Sequence, residues 1–375
     1  MRQGRLFKSL LVLGLTVVSM NQALACRYNV RETGFVDFGV EAYKLFCFVG
    51  GGTPANELSQ LESLATEILA DSSVVLEIVS IEETPDHPAL EFWRPDEGQL
   101  APAAALVSSS GSSFWLGPLW DGVFSPDAVR RVLRTVVSSP VRSRIAEELA
   151  TAFGVVLLIE GTNQDQNSRA ESHVFQALET LESELEYFPK PIKRGPVLIT
   201  LTREELASER LLLWSFGLEV DNLEQAIAVV LYGRGRWIGP AMIGEEITLD
   251  LVSRILFIVG ADCECDLDPR LLRGTGIPIP WDSRLQELVS GELGFDPNNP
   301  LVRMEVSQIM RVRSWQNPAM ENRVQPLEIP ALKDNSGELT SRLFSFQFLY
   351  LIGGIGVLVL CIGAVIWLRA KREKP

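Results

Sequence analysis

Residues 104–122, AALVSSSGSSFWLGPLWDG, and residues 226–244, AIAVVLYGRGRWIGPAMIG, are two versions of one pattern. Each begins with an apolar run, continues through a turn of Ser, Gly or Arg, and then reads Trp-Leu/Ile-Gly-Pro before a closing Gly. Two apolar runs around a glycine-containing turn are typical of a β-hairpin. The sequence therefore predicts the same hairpin twice, which indicates an internal repeat.

The segments around each hairpin also match. A buried strand, an amphipathic helix and a second strand are predicted at 43–49, 57–71 and 74–81, and again at 153–159, 170–187 and 196–201. The loops GGGTPAN and GTNQDQNS separate each first strand from its helix. Short helical stretches are predicted before the hairpins at 87–93 and 203–214, and longer helices after them at 126–137 and 246–259. The predicted order is β-α-β-α-β-β-α, twice.

This order, with a parallel first pair and an antiparallel last pair, resembles the thioredoxin fold, which a right-handed βαβ crossover favours. The resemblance implies an α/β protein with two tandem thioredoxin-like domains. Thioredoxins carry Cys-x-x-Cys after the first strand, where this chain has Gly50-Gly51-Gly52-Thr53-Pro54 and Gly161-Thr162-Asn163-Gln164. Both copies therefore lack the sulfur atoms for dithiol exchange at that place. Only the first copy has a proline, Pro102, where the family often places a cis-proline.

The two ends of the chain predict export and membrane anchoring. Three basic residues, an apolar stretch and Ala23 and Ala25 form a signal peptide over residues 1–25, with cleavage before Cys26. A lipobox that acylates Cys26 is the alternative. Residues 343–368 form an apolar transmembrane helix, and the basic tail 369–375 stays cytoplasmic by the positive-inside rule. Because no Asn-x-Ser/Thr acceptor occurs, we expect a bacterial inner membrane protein with a periplasmic body.

The exported body divides into three parts. We predict a degenerate thioredoxin-like domain at 26–150, a second at 151–273, and a proline-rich connector with one short helix at 274–342. The connector either wraps the second domain or spaces it from the bilayer.

The charge of the body narrows the class of partner. The whole chain has a formal charge of −14, and removal of the signal and the tail, each +3, leaves −20. Such a field repels nucleic acid and anionic lipid head groups. We therefore predict no nucleic-acid partner, and we expect the partner to be another membrane or periplasmic protein.

The most distinctive local motif is a cluster of acidic residues that contains two cysteines. Its members are Asp262, Cys263, Glu264, Cys265, Asp266 and Asp268. The pair Cys263 and Cys265 could form a reducible disulfide, hold copper or zinc, or pair structurally with Cys26 and Cys47. The carboxylates could attract calcium, but they lack the glycine of an EF-hand loop. The acidic neighbours raise a thiol pKa and so disfavour a reactive thiolate.

No catalytic residue is predicted. The chain has no phosphate loop and no nucleophile elbow, and GRGRWIG at 233–239 lies in a hairpin, which is the wrong context for a dinucleotide site. Trp115 and Trp237 hold equivalent repeat positions and are expected to occupy matching buried sites in the core or the hairpins, with a ligand platform as the alternative. The sequence favours a membrane-anchored, non-catalytic interaction module without a cofactor. The alternative is a thiol redox or metal-handling protein built on Cys263 and Cys265.

Overall fold

The computed structural model describes residues 27–37, 43–94, 102–188, 190, 192–219, 223–261 and 276–316. The chain divides into two units, Met1–Arg323 and Val324–Pro375, and every described residue belongs to the first unit. Among these residues, no helix has both the length and the apolar character needed to cross a membrane. The predicted signal, span and tail lie outside the described ranges.

The first sheet contains strands β1 (Tyr43–Val49), β2 (Val74–Ser80), β3 (Ala103–Val107) and β4 (Ser113–Pro118). Their order is β2-β1-β3-β4. β1 pairs parallel with β2 and antiparallel with β3, and β3 pairs antiparallel with β4. The predicted hairpin at 104–122 is confirmed as β3 and β4.

The second sheet repeats this topology. It contains β5 (Val155–Ile159), β6 (Val197–Leu201), β7 (Ile227–Tyr232) and β8 (Arg236–Ile243), in the order β6-β5-β7-β8 and with the same pairing directions. The strand order and directions in both sheets are those of the thioredoxin fold. The chain is therefore a mixed α/β protein with two four-stranded sheets.

The repeated Gly-Pro dipeptide has a structural counterpart in both hairpins. The pairing register shifts beside Gly117 in β4 and beside Gly239 in β8, and these glycines have φ of +86° and +76°. A glycine with positive φ permits a bulge in an antiparallel pair. The two halves thus share a local backbone irregularity as well as an element order.

Helices cover one face of each sheet with a similar pair. On the first sheet these are α2 (Ala55–Leu69) and α3 (Pro126–Val137), and on the second α5 (Gln164–Glu184) and α7 (Leu249–Gly260). Ser125 caps α3 by accepting a hydrogen bond from the Ala128 N–H, and Pro126 takes the first helical position. The predicted helix at 170–187 starts earlier than expected, because Asn163 caps α5 inside the predicted loop.

The opposite faces differ between the two sheets. A 3-10 helix, Pro88–Phe92, packs on the first sheet. The second sheet is covered by α4 (Pro140–Thr151), α6 (Arg210–Ser215) and α8 (Ser283–Leu293). α8 is the short helix predicted in the connector, whereas α4 and a second, longer helix in the connector, Pro300–Gln316, were not predicted.

The start and the end of the described chain both pack on the second sheet. Helix α1 (Val30–Gly34) closes a capping box between Asn29 and Glu32. Val30 and Val36 share a core with Val302 and Val306 of α9 (Pro300–Gln316). The predicted boundaries, 26–150 and 151–273, thus divide the chain differently from its packing, since residues 27–36, α4, α8 and α9 all pack on the second sheet.

Candidate functional site

The loop after β1 is where the thioredoxin resemblance would place a dithiol. The Gly51 N–H donates to the Glu82 carboxylate, and the Thr53 N–H donates to the Gly50 carbonyl at 3.0 Å. Helix α2 then begins after Pro54 with no side-chain cap. Gly51 and Gly52 are exposed, and the segment carries neither a thiol nor an ionisable side chain. The first loop is therefore accessible but supplies no thiol for disulfide exchange.

The corresponding loop after β5 is closed by its own contacts. The Gly161 N–H donates to Asn167 Oδ1 at 2.9 Å, and Asn167 Nδ2 donates to the Gly161 carbonyl at 3.1 Å. The Thr162 N–H and hydroxyl both donate to the Glu224 carbonyl, at 2.9 and 3.0 Å. A Cβ added at Gly161 would lie 2.4 Å from the Gln225 carbonyl carbon. Backbone packing thus leaves no space for a side chain at Gly161 itself.

An aromatic cluster lies on the face of the first sheet opposite its helices. Phe48 of β1 stacks against Trp115 at 6.5 Å between ring centroids, and Trp93 meets Trp115 edge-on at 5.8 Å. Phe46 stacks on Phe92 at 6.1 Å. Phe46 and Phe48 are buried, while both tryptophans are half-buried. Such offset and edge-on pairs stabilise a packed cluster beyond the area they bury.

Polar groups border this cluster on the β2 side. His87 accepts a hydrogen bond from the Ala89 N–H through Nδ1, so the proton of the neutral ring is on Nε2. The Nε2 atom lies 3.1 Å from Glu77 Oε1. Lys44 lies 3.3 Å from the same carboxylate and above the Phe46 ring. These contacts satisfy one another and orient the ring of His87 rather than exposing a base.

Trp237 occupies the matching face of the second sheet. Trp115 pairs with Ala105 across the first hairpin, and Trp237 pairs with Leu231 across the second. Trp237 is also half-buried and meets Phe216 edge-on at 6.0 Å. Neither indole N–H finds an acceptor among the described residues. Both side chains therefore hold matching positions at the margin of a core, as predicted for the repeat, but they are half-buried where the sequence predicted buried sites.

The two sheets are joined through a buried charged cluster that the sequence did not indicate. Arg142 of α4 and Glu209, at the start of α6, are 2% and 1% exposed. The Arg142 guanidinium donates to the backbone carbonyls of Thr135, Val136, Ser138 and Pro278 at 2.5–3.0 Å. It thereby caps the C-terminus of α3, where a cation is favoured, and ties it to the connector.

Aromatic packing extends this junction. Trp214 of α6 lies 5.8 Å from the Tyr43 ring and 5.6 Å from the Phe114 ring, both in the first sheet. Leu211, also in α6, packs in the core between the first sheet and its helices.

Burial lowers the pKa of Arg142 to about 10, while the Glu209 charge acts in the opposite direction. The guanidinium thus stays charged at neutral pH.

Of the predicted site residues, the structure describes Cys47. It is a free thiol in β1 with 0% exposure, and it packs in the core between the sheet and α2. Burial raises the pKa of this thiol to about 12. Cys26, Cys263, Cys265 and the acids Asp262, Glu264, Asp266 and Asp268 lie outside the described residues. Within the described part of the chain, no group of His, Cys, Asp and Glu side chains could hold a metal ion.

The topology and these two loops define a tandem thioredoxin-like architecture without the family's dithiol after β1 or β5. No protein family model and no curated protein sequence matches the chain.

Solved structures with a similar architecture are also multidomain. The first two thioredoxin domains of Saccharomyces cerevisiae Eps1p share 9% identity, over 58% of this chain and 91% of that one, with a TM-score of 0.22. Zinc-bound human ERp44 shares 14%, over 60% and 53% of the two chains, with a TM-score of 0.21. The bb fragment of ERp72 shares 14%, over 60% and 90%, with a TM-score of 0.20. These values carry no functional argument, and the fold class rests on strand order.

Proposed function

We propose that this chain is a membrane-anchored extracytoplasmic protein whose thioredoxin-like domains act without catalysis, as an interaction or accessory module of a membrane complex. The observation that carries this proposal is the chemistry of the two loops. The loop at 50–54 lacks a thiol, and the loop at 161–163 also lacks one and is held by hydrogen bonds to Asn167 and Glu224. Thiol chemistry needs an accessible thiolate near ambient pH, and the buried thiol of Cys47 does not provide one.

The buried contacts between the two sheets support a binding role. Arg142 and Trp214 connect the domains through buried hydrogen bonds and ring contacts. A pre-organised pair of domains presents a fixed surface, which reduces the ordering cost of binding. The acidic body and the apolar stretch at 343–368 support a periplasmic or membrane protein as the partner and a bilayer as the site of anchoring.

A thiol-exchange assay tests the non-catalytic part of the proposal. The purified full-length protein is assayed for reduction of insulin disulfides and for oxidation of a reduced peptide, beside a Cys263→Ser/Cys265→Ser variant. We expect equal, background rates from both proteins. Exchange that the double substitution abolishes would replace the proposal with the redox alternative, and stoichiometric copper or zinc binding that it abolishes would favour metal handling.

Membrane anchoring is tested separately. We expect the full-length protein to stay in the membrane fraction during alkaline extraction, and a chain truncated after residue 342 to be released. Retention of the truncated chain would show that residues 343–368 are not the anchor.

A further inference from the structure

A groove runs between helix α2 and the edge strand β2 of the first sheet. Its volume is about 670 Å³. The lining residues are Glu62, Ala65, Thr66, Leu69, Ala70, Val74, Val75, Leu76 and Ile78. This groove lies on the helix side of the sheet, away from the aromatic cluster and from both loops.

One wall of the groove is a strand with a vacant side. β2 stands at the end of the sheet and pairs with β1 alone among the strands that the structure describes. Leu76 and Ile78 point to the same side as Val74, because strand side chains alternate, and both are partly buried against the core. An edge strand of this kind offers N–H and C=O groups for pairing with an added strand.

The other wall is one face of α2. Glu62, Ala65, Thr66 and Leu69 follow helical spacing and therefore lie along a single stripe. Leu69 and Ala65 are buried at the floor, while Thr66 and Glu62 are exposed at the rim. Alternate side chains of an extended segment bound in the groove would thus contact the apolar floor, and the side chains between them would face the polar rim.

The charge of the walls selects the ligand. Residues 55–86, which include α2, β2 and the turns after each of them, contain eight Asp and Glu residues and no Lys, Arg or His. One of these acids, Glu77, contacts Lys44 and His87 on the other face of the sheet. Glu62 lies in the groove lining itself. Charge complementarity at such a surface favours a basic partner and speeds its approach.

We propose that this groove binds an extended, basic segment of a partner protein, with apolar residues at alternate positions, by adding a strand to β2. The inference rests on the proposed interaction role and names the chemistry of the partner. Main-chain pairing with β2 supplies affinity, and the floor between Ala65, Leu69 and Leu76 accepts the alternate apolar side chains.

A second copy of this chain fits the groove less well. β2 has no basic residue of its own, and Glu77 already contacts Lys44 and His87, so pairing of β2 with another β2 brings no cation to Glu62 and sets the acids of one groove beside those of the other. Like charges on neighbouring strands destabilise a sheet. A basic partner removes this repulsion.

A peptide-binding measurement tests the inference on the full-length protein. The probe is a fluorescent peptide of alternating lysine and valine, and the steric variant is Thr66→Trp, which fills the groove from its rim. Ser63→Trp is the matched control, because Ser63 is exposed on the same helix but does not line the groove. We expect Thr66→Trp to weaken binding at least about tenfold and Ser63→Trp to leave it within about twofold, as for truncation or blocking of a central contact.

Two further measurements test the preference for a basic peptide and the pairing of that peptide with β2. A peptide of alternating aspartate and valine should not bind, and Glu62→Lys should weaken lysine-peptide binding, with the difference shrinking at high salt. Hydrogen exchange should slow at 74–80 in the complex and stay unchanged at 197–201, the matching edge of the second sheet. Equal binding by both tryptophan variants, or no slowing at 74–80, overturns the inference. Dimer formation that Thr66→Trp abolishes would replace the basic segment with a second copy of the chain.

These results are independent of thiol exchange. If the lysine peptide fails to bind while exchange activity stays at background, the groove inference is wrong and the non-catalytic proposal stands. If exchange depends on Cys263 and Cys265, the non-catalytic proposal is wrong whatever the peptide does.

Discussion

Arg142 and Glu209 meet through the hydroxyl of one serine at the junction of the two domains. Ser139 Oγ donates to Glu209 Oε2 at 2.6 Å and accepts from Arg142 Nε at 3.1 Å. Glu209 also accepts from the Val141 N–H at 3.2 Å, so it caps the start of α4. Two opposite charges are thus buried with their hydrogen-bonding groups satisfied, which is the condition under which a buried pair is tolerated.

Removal of one member of this pair should destabilise the protein strongly. Arg142→Met keeps much of the side-chain volume but leaves the buried Glu209 charge without its nearby cation and several backbone carbonyls without their donor, so we expect a loss of about 3–5 kcal/mol in the free energy of unfolding. Arg144→Met, an exposed position on the same helix, should change it by less than about 0.5 kcal/mol. Chemical denaturation measures both, and equal effects would contradict the role assigned to Arg142.

The contact between Gly34 and Gly233 leaves no room for a side chain. A Cβ at Gly233 would lie 2.3 Å from the Gly34 carbonyl carbon, and Gly233 has φ of +55°. Gly233→Ala should therefore cost about 2–3 kcal/mol through overpacking and backbone strain. Gly291→Ala is the control, since that glycine is helical and has no atom within 4 Å of its added Cβ. The control should raise stability by up to about 1 kcal/mol in thermal or chemical unfolding.

Trp237→Ala should destabilise less than a deep-core substitution. The side chain is half-buried and its indole N–H has no acceptor among the described residues. We expect a loss of about 2–3 kcal/mol, below the upper values known for fully buried aromatics. Trp237→Phe keeps the ring contact with Phe216 and should cost less than about 1.5 kcal/mol. An alanine variant as stable as the parent would show that this hairpin face does not contribute to the core.

Burial of Cys47 predicts a loss of stability at alkaline pH. Its pKa rises from 9.0 to about 12, so the folded state keeps a proton that the unfolded chain releases. This contribution is complete below 9.0 and is lost as the pH rises toward 12. Tyr28, whose pKa burial raises to about 12, acts in the same direction. Cys47→Ala should therefore show a shallower decline in unfolding free energy over this interval, measured by denaturation at each pH.

The N-terminus of the mature protein is a prediction from sequence alone. Ala23 and Ala25 predict cleavage before Cys26 without a lipid. The intact mass of protein extracted from membranes checks this prediction, and a diacylglycerol adduct on Cys26 would establish the lipobox alternative.

The strands and the repeat could be predicted because their signals are local. An apolar run such as 155–159 indicates a buried strand, and the Trp-x-Gly-Pro pattern indicates a hairpin, each within a few residues. The predicted thioredoxin-like order followed from these segments, since handedness and pairing rules leave few arrangements.

The junction could not be predicted, because its partners are distant in sequence. Arg142 meets the Pro278 carbonyl across 136 residues, and an arginine in the first turn of a helix is ordinarily a solvated side chain. The packing of residues 27–36 on the second sheet is equally non-local. Helix α4 was not predicted because charged residues, including the buried Arg142, interrupt its apolar pattern. Its apolar face consists of Val141, Ile145 and Leu149.

Tyr28 and Glu305, which share a 2.7 Å hydrogen bond, stand 277 residues apart. A chain synthesised from its N-terminus makes Tyr28 long before its partner Glu305. The first sheet has its core complete once Trp214 has appeared, but the second must wait for Val302 and Val306. Translation that stops before those valines leaves incomplete the core that residues 28–36 share with α9, so a segment made early completes its packing late.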